Sequence, residues 1–267
     1  MNIITSINAK GGCGKSTVAM NIAAGLAHAG YRTLLLDLDP QAQITEWLSA
    51  GDARTTEDTI IAVLAGQQTI ESALQPTRIN NLSFVPSAKL LEDLGHQMKE
   101  DEDYRHRLTN ALVTISSEFD FVVIDSPNQV SPIMENAVVP TDLFIVPFDG
   151  TKAVKSYADF YELVLNLRGT EPHILHVLNN IKHISLRKLV LAMMQENGIA
   201  PAKTEIRSCA YLSMSDNFGG SIFDYRPRSN GAKDITALMN EVLQVFGAPH
   251  VAPGVNPVVV EQTHQAL

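Results

Sequence analysis

Short apolar runs alternate with longer amphipathic segments along most of the chain. The runs are rich in branched residues and are not interrupted by alternating polar positions, which is typical of parallel strands covered by helices on both faces. They occupy residues 3–7, 33–38, 82–85, 121–124, 143–148 and 174–178. Apolar residues at helical spacing predict helices over residues 16–29, 104–115, 157–167, 186–196 and 233–246.

This alternation predicts an α/β fold with a single doubly wound, mostly parallel sheet flanked by helices. No linker or repeat divides the pattern, so we predict one domain over residues 1–246. Residues 247–267 contain three prolines and neither lysine nor arginine, and they predict a flexible C-terminal tail. A chain of 267 residues with 45% hydrophobic residues can bury a large core, which excludes an intrinsically disordered protein.

Charge is distributed unevenly along the chain. The net charge is −9, which excludes a strongly basic, histone-like nucleic-acid binder. Residues 1–150 carry 9 basic and 19 acidic groups, whereas residues 151–233 carry 11 basic and 7 acidic groups, so a basic surface is expected in the second half. Two cysteines cannot form a disulfide framework or a four-cysteine zinc site. Without a long apolar run or an export signal, the chain is expected to be cytoplasmic.

The strongest chemical signal is the sequence KGGCGKST at residues 10–17, directly between the first predicted strand and the first predicted helix. Glycines allow backbone N–H groups to converge on phosphate oxygens, and the helix N-terminus, Lys15 and the Ser16 hydroxyl complete a site for a nucleotide with Mg²⁺. The predicted nucleotide contacts are Gly11, Gly12, Cys13, Gly14, Lys15, Ser16 and Thr17. The general P-loop pattern has glycine where this chain has Ala9, and Lys10 is an additional cation.

Carboxylates end two of the apolar runs. Asp125 follows a buried strand, so it is expected at the sheet edge beside the phosphate loop, where it would hold Mg²⁺ through water together with Ser16. Asp37 and Asp39 close the second strand and share one face of it. We predict that Asp37 adjusts the surroundings of the metal rather than taking part in the chemistry.

These motifs resemble the ParA/MinD group of P-loop ATPases, whose variant phosphate loop reads K-G-G-x-G-K-[ST]. Residues 35–41 (LLDLDPQ) resemble the second motif of the family, residues 121–127 (FVVIDSP) resemble its Walker B strand, and residues 140–147 and 219–232 follow its usual course. The resemblance covers residues 1–246. It implies a P-loop NTPase fold and an ATPase that uses ATP and Mg²⁺ and is slow without a partner.

The resemblance also implies roles for single residues. Lys10 would reach across an ATP-dependent homodimer to the nucleotide of the partner, Lys15 would bind phosphate in its own subunit, and Asp39 would position the attacking water. Gln41 would lie in the nucleotide-sensing loop. Adenine would be recognised by Asn179, or by Asn180 beside it, and by Pro227.

Members of this group bind either DNA or membranes. A MinD-like protein carries a basic amphipathic helix at its C-terminus, whereas this chain has no lysine or arginine after Lys233, so stable membrane insertion is not expected. A ParA-like protein binds nonspecific DNA through basic residues of its C-terminal half. The candidates here are Lys182, Arg187, Lys188, Lys203, Arg207, Arg226 and Arg228. Residues 206–213 depart from the arginine pattern of many relatives, with Tyr211 where an arginine is common.

The preferred hypothesis is a ParA-type ATPase that associates with the nucleoid and positions or segregates a cargo when a cargo-bound adaptor of the ParB type stimulates hydrolysis. The cargo would be a plasmid or chromosome partition complex, or a protein assembly such as carboxysomes or chemoreceptor arrays. The alternative is a MinD-like membrane-cycling regulator of cell division. A nitrogenase iron protein relative would need paired cysteines, and a bacterial tyrosine kinase would need a C-terminal tyrosine cluster; the sequence has neither.

Overall fold

A computed structural model of the chain describes residues 1–49, 58–215 and 220–251. Within these ranges seven strands form one sheet. The strands are β1 Asn2–Ser6, β2 Thr33–Asp37, β3 Gln75–Pro76, β4 Leu82–Val85, β5 Phe121–Asp125, β6 Leu143–Phe148 and β7 His173–Leu178. Six of them confirm the predicted strands to within about two residues. The two-residue strand β3 is too short to be recognised from a hydrophobic pattern.

The described helices are more numerous than the five predicted ones. They are α1 Lys15–His28, α2 Gln43–Leu48, α3 Ile60–Leu64, α4 Ile70–Ala73, α5 Leu91–Met98, α6 Arg107–Thr114, α7 Pro132–Val138, α8 Thr151–Lys155, α9 Tyr157–Arg168, α10 Ile184–Glu196, α11 Ala210–Ser215, α12 Ile222–Tyr225 and α13 Asn230–Val245, with a 3₁₀ turn at Tyr104–His106. Five of these helices match the predictions. Most of the others span one or two turns, too few for a helical period to show.

The strand order across the sheet is β3-β4-β2-β5-β1-β6-β7, and every neighbouring pair is parallel except β3 and β4. This arrangement confirms the doubly wound, mostly parallel sheet. Strand β1 lies beside β5, with Ser6 opposite Asp125, and β5 lies beside β2, with Asp37 opposite Asp125. The carboxyl ends of these three central strands therefore meet at one edge, directly below the loop that precedes α1.

Alternate residues of the strands enter cores on opposite faces of the sheet. On one face, Ile4, Leu35 and Val123 pack with α1 and α13. On the other face, Ile3, Leu36 and Ile124 pack with residues of α3 and α5 to α7, and the β6 side packs with α9 and α10. The strands are buried almost throughout, which explains why they read as continuous apolar runs.

The first residues after α13 pack against the domain. Val251 exchanges two hydrogen bonds with the Asn240 side chain, at 2.8 and 2.9 Å. Most of the predicted tail, residues 252–267, lies outside the described residues. Among the helices that the structure describes, none has the length and apolar composition needed to cross a bilayer.

Candidate nucleotide-binding site

The phosphate loop lies between β1 and α1, as predicted. Gly12 and Gly14 adopt left-handed backbone conformations, with φ of +75° and +98°, which other residues rarely adopt. Gly14 caps α1 without a side-chain hydrogen bond, so the first N–H groups of the 14-residue helix face the loop. The loop is thus shaped to present backbone donors and the positive end of a helix to an anion.

Lys15, Ser16 and Thr17 line an open cleft of about 280 Å³ beside the loop. Lys15 is buried to 5% exposure, and among the described residues its ammonium has only the Lys10 carbonyl, at 3.5 Å, as a hydrogen-bond acceptor. The backbone beneath it is fixed, because the Ser6 hydroxyl donates to the Lys15 carbonyl at 2.9 Å. Cys13 is buried, and burial is the main reason that the pKa of its thiol is raised, so a reactive thiolate is not favoured.

Asp125 ends β5 beneath this cleft and is completely buried. Neither of its carboxylate oxygens has a hydrogen-bond partner among the described residues. Burial, followed by repulsion from Asp37, raises the pKa of Asp125 well above its ordinary value, and the nearby Ser16 hydroxyl and Lys15 offset only part of this. A buried carboxylate without partners is suited to a cation, directly or through its bound water.

The described residues contain no cluster of three or more histidine, cysteine or acidic side chains that would hold a metal by itself. Asp125 and Ser16 nevertheless fit Mg²⁺, because this ion commonly uses one or two protein oxygens and takes its remaining ligands from phosphates and water. Ser16 lines the cleft from α1, and Asp125 lies at the end of β5, close enough for Ser16 and Lys15 to act on its pKa.

Asp37 is also completely buried, but its oxygens are occupied. One oxygen accepts from the Asp39 N–H at 3.1 Å, and the other accepts from the N–H and hydroxyl of Thr45 at 2.9 and 2.7 Å. Burial raises the pKa of Asp37 to about 6, although these hydrogen bonds act in the opposite direction. Asp37 thus fixes the start of α2 and faces Asp125 from the neighbouring strand, an arrangement compatible with the predicted indirect role at the metal.

Asp39 lies at the rim of the cleft with 8% exposure. One of its oxygens accepts from the Gln41 N–H at 2.9 Å, which holds the loop after β2 in a tight turn. Gln41 and Asn128 line the same cleft from the loops that follow β2 and β5. Gln41, which the resemblance places in the nucleotide-sensing loop, therefore lies beside the phosphate loop.

The side-chain contact of Lys10 lies outside the cleft that its own loop forms. Its ammonium makes an ion pair with Asp149, which follows β6, and Lys10 is not among the residues that line the cleft. The second oxygen of Asp149 is buried without a hydrogen-bond partner in the described part of the chain. Sequence reasoning missed Asp149, because no local motif links it to a residue 139 positions earlier.

The predicted adenine contacts lie on different elements. Asn179 follows β7 and is buried, and its amide donates to the Cys13 carbonyl at 2.7 Å, so it touches the phosphate loop directly. Asn180 has a positive φ of 54°, and its N–H donates to Ile206. Pro227 is exposed between α12 and α13. Of the three residues, only Asn179 makes a described contact with the loop.

The predicted DNA-binding residues divide into two groups. Arg187 pairs with Glu205 at 2.7 Å, and Arg207 binds the nearly buried Asp234 through its side chain at 2.6 Å and its N–H at 3.0 Å. The others have no ion pair among the described residues; they are Lys182, Lys188, Lys203, Arg226 and Arg228, all exposed. Arg226 also lies over the rings of Tyr211 and Tyr225, at 5.4 and 5.1 Å.

The chain is similar to known proteins over most of its length. Residues 1–177 match the AAA_31 family, described as an AAA domain. The cell division protein PomZ of Myxococcus xanthus is 28% identical over 248 residues, which cover 89% of this chain and 76% of PomZ. The chromosome partitioning protein ParA of the same organism is 28% identical over 255 residues, which cover 91% of this chain and 88% of ParA.

Solved structures share the fold. McdA of Cyanothece in complex with ATP superimposes with a TM-score of 0.81 at 19% identity, covering 94% of this chain and 98% of McdA. The septum site-determining protein MinD of Pyrococcus horikoshii, complexed with Mg-ADP, superimposes with a TM-score of 0.73 at 24% identity, covering 92% of this chain and 97% of MinD.

Proposed function

Because the chain belongs to the ParA/MinD family of P-loop ATPases, we propose that it is a ParA-type positioning ATPase that closes into a sandwich dimer on binding ATP and Mg²⁺. In the proposed cycle the dimer binds nonspecific DNA of the nucleoid. A cargo-bound adaptor of the ParB type then stimulates an otherwise slow hydrolysis, and the dimer separates and leaves the DNA. The protein would therefore be cytoplasmic and associated with the nucleoid.

Each of the site residues would have a separate role in phosphoryl transfer. The N–H groups of the loop and the Lys15 ammonium bind the phosphates, while Ser16 and Asp125 would hold Mg²⁺. Bound Mg²⁺ would neutralise charge on the phosphate oxygens. Asp39, at the rim of the cleft, would orient the water that attacks the terminal phosphorus and would accept a proton from it. Asn179 and Pro227 would contact adenine.

The proposal of an ATP-dependent dimer rests on the position of the Lys10 side chain. Its side chain leaves its own cleft and is held by Asp149, with 26% of the lysine side chain exposed. Lys10 lies beside the nucleotide site without lining it, and the phosphates of a second subunit that approaches face to face, which carry more negative charge than one carboxylate, would compete with Asp149 for its ammonium. There it would stabilise the negative charge on the partner's transferred phosphoryl group.

Lys10→Ala tests this role most directly. We expect the variant to lose ATP-dependent dimerisation and hydrolysis and to keep nucleotide affinity within about fivefold, since the remainder of the loop is unchanged. The matched control is Lys89→Ala, which removes an exposed lysine outside the site. Dimerisation would be measured by light scattering in the hydrolysis-blocked Asp39→Ala background. Dimers of undiminished strength in Lys10→Ala would refute the role of Lys10 in trans.

DNA binding rests on the family and on the five exposed basic residues without a described ion pair. Pelleting with DNA and with anionic liposomes, each with ATP and with ADP, would distinguish a nucleoid from a membrane as the support. We expect ATP-dependent pelleting with DNA alone, and a steep loss between low and moderate salt because phosphate contacts release counterions. Pelleting with liposomes would instead support a MinD-like membrane cycle.

The relatives are named for different processes, cell division in one case and chromosome partitioning in another. We therefore propose a nucleoid-bound positioning cycle in which the adaptor defines the cargo. Either a plasmid or chromosome partition complex or a protein assembly, such as carboxysomes or chemoreceptor arrays, would fit. Affinity capture with the ATP-locked Asp39→Ala dimer, compared with Lys10→Ala, would identify an adaptor that recognises only the dimer.

A further inference from the structure

Asn8 is a buried polar residue between β1 and the phosphate loop. Its side chain is 1% exposed, and both ends of its amide are occupied. The oxygen accepts from the Lys10 N–H and from the Ser156 hydroxyl, each at 2.9 Å. The nitrogen donates to the Pro147 carbonyl at 3.0 Å and lies 3.5 Å from the Ala153 carbonyl. Asn8 does not line the cleft and has no described contact with it.

These bonds join two segments that are distant in the sequence. One segment is the start of the phosphate loop, which carries Lys10. The other runs from the end of β6 through α8 to Ser156 and carries Asp149, the ion-pair partner of Lys10. The two segments are separated by 139 residues of chain, so their spacing depends on tertiary contacts. The Asn8 amide is such a contact, and it is shielded from water.

The bond from the Lys10 N–H to the Asn8 oxygen spans two residues and closes an Asx turn. The turn fixes the backbone direction at Lys10 and so the region that its side chain can reach. A lysine side chain loses much rotamer freedom when it is ordered. A backbone that is already fixed reduces the additional ordering required when the ammonium meets a new anion.

We propose that Asn8 is the positioning residue for Lys10. Its amide holds the lysine and the segment that carries Asp149 in one register, so that Lys10 is presented at the rim in a defined orientation. Ser156, at the end of α8, supports the amide through its hydroxyl. This inference rests on the proposed role of Lys10 in trans.

The first test measures the chemical reactivity of the Lys10 side chain. Pulse acetylation of the nucleotide-free protein, read by mass spectrometry, compares Lys10 with the exposed Lys89 and Lys99. In Asn8→Ala we expect Lys10 to react at least fivefold faster while the two reference lysines are unchanged. An unchanged rate at Lys10, or an equal rise at all three lysines, would overturn the proposal, because the amide would then not restrain Lys10 specifically.

The second test measures ATP-dependent dimerisation by light scattering in the Asp39→Ala background. We expect the dimer dissociation constant to rise about tenfold in Asn8→Ala and about threefold in Ser156→Ala, with nucleotide affinity within about twofold. Ser156→Thr, which retains a hydroxyl, should restore the dimer. Ser72→Ala, which removes an exposed serine hydroxyl of α4 that donates to the Thr69 carbonyl, is the matched control.

Two outcomes separate this inference from the proposed function. If Lys10→Ala dimerises normally, the role of Lys10 in trans fails, and this inference fails with it. If Lys10→Ala loses the dimer while Asn8→Ala and Ser156→Ala keep it, only the positioning role of Asn8 is refuted. Should Asn8→Ala not fold, as judged by thermal unfolding, the contrast between Ser156→Ala and Ser156→Thr decides the question: equal dimerisation by the two would refute the proposal.

Discussion

The two charged regions of the molecule are built in opposite ways. At the carboxyl edge of the central strands, charges are buried and incompletely paired: Asp125 has no described hydrogen-bond partner, and Lys15 has one distant carbonyl. In the C-terminal half, two arginines are at least partly exposed yet form ion pairs, Arg187 with Glu205 and Arg207 with Asp234. The first arrangement destabilises the folded chain unless a ligand binds, whereas the second stabilises it without one.

This difference indicates which charged residues are available to bind an external ligand. Buried polar groups are nearly always satisfied, so an exception such as Asp125 indicates a missing ligand. An exposed arginine in a good ion pair is already satisfied and has less to offer an external phosphate. Applied to the DNA-binding candidates, this reasoning favours those without a described ion pair, such as Lys188 and Arg228, over Arg187 and Arg207.

The largest effect is expected from a substitution that obstructs the phosphate loop. In Gly14→Ala the added methyl group would overlap the Asn179 amide, at a backbone φ of +98° that alanine rarely adopts. We expect ATP affinity to fall more than 100-fold. Gly30→Ala is the matched control, since its φ is +94° but a methyl group there meets nothing within 4 Å. It should lower the free energy of unfolding by about 1 kcal/mol and retain ATP binding.

Isothermal titration calorimetry and chemical denaturation would measure both glycine variants. If Gly30→Ala weakened ATP binding as strongly as Gly14→Ala, the effect would come from backbone strain in general. The loop would then not be the specific element that this interpretation requires.

The second effect concerns Asp125. In Asp125→Asn the carboxylate is removed, so Mg²⁺-dependent ATP affinity should fall about 30- to 100-fold. The nucleotide-free protein should at the same time gain about 1–2 kcal/mol of unfolding free energy, because an unpaired buried charge is no longer present. Gain of stability with loss of function is the signature of a ligand site. Calorimetry with and without Mg²⁺, together with denaturant titration, tests both parts.

Asp120→Asn is the matched control for this variant, because Asp120 directly precedes the same strand, β5, but is paired with Arg32 at 2.8 Å. It should leave ATP binding unchanged and should not stabilise the fold. A nucleotide-free Asp125→Asn protein that is less stable than the parent would contradict the interpretation of Asp125 as an unsatisfied group.

Much of the fold and of the phosphate site could be predicted from local patterns. Strands such as β1 and β5 are buried on both faces and therefore appear as continuous apolar runs, and the glycine-rich loop carries its chemistry within eight consecutive residues. Helices α2 and α8 escaped prediction because each spans fewer than two turns. They are stabilised by contacts with distant residues, as when Asp37 binds the start of α2 through Thr45.

The long-range partners could not be predicted. Asp149 meets Lys10, and Ser156 meets Asn8, only after β6 has been placed beside β1. Similarly, the sequence gives no indication that Arg207 is held by Asp234, 27 residues further on. A sequence motif identifies functional residues that are close together along the chain. Ion pairs between distant elements form only in the tertiary structure, so a motif does not identify them.

The DNA-binding candidates allow a finer comparison between adjacent residues. Lys188 has no ion pair in the described parts of the chain, whereas Arg187 pairs with Glu205. We expect Lys188→Gln to lower the DNA affinity of the ATP-bound dimer about three- to tenfold and to reduce its salt dependence by about one counterion. Arg187→Gln should change DNA affinity less than twofold and cost about 0.5 kcal/mol of stability.

Fluorescence anisotropy with a random-sequence duplex over a series of salt concentrations measures both variants. Equal losses of affinity in the two would mean that an intramolecular ion pair does not withdraw a side chain from DNA. In that case the division between paired and unpaired basic residues would have no bearing on recognition.

The smallest effect concerns a titratable group whose neutral form is favoured by burial. His176 lies in β7 with Nδ1 2.9 Å from the Ala200 carbonyl and Nε2 2.9 Å from the Tyr157 hydroxyl. In the neutral ring Nδ1 donates a hydrogen bond to the Ala200 carbonyl, and Nε2 accepts one from the Tyr157 hydroxyl. Burial lowers the pKa of His176 below its ordinary value, and burial also raises the pKa of Tyr157 well above its ordinary value, so neither group is charged at neutral pH.

Because the unfolded chain protonates this histidine near pH 6.5 and the folded chain only at a lower pH, its contribution to stability is complete above pH 6.5 and is lost as the pH falls below that value. His176→Gln keeps a hydrogen-bonding side chain that does not titrate, so the acid-induced loss of stability between pH 6.5 and 5 should shrink by about 0.5–1 kcal/mol. Asp37, whose pKa of about 6 is raised, acts in the opposite direction and gains stability over part of this range. The difference between parent and variant cancels that contribution, and identical pH profiles for the two proteins would show that His176 is not held neutral by the fold.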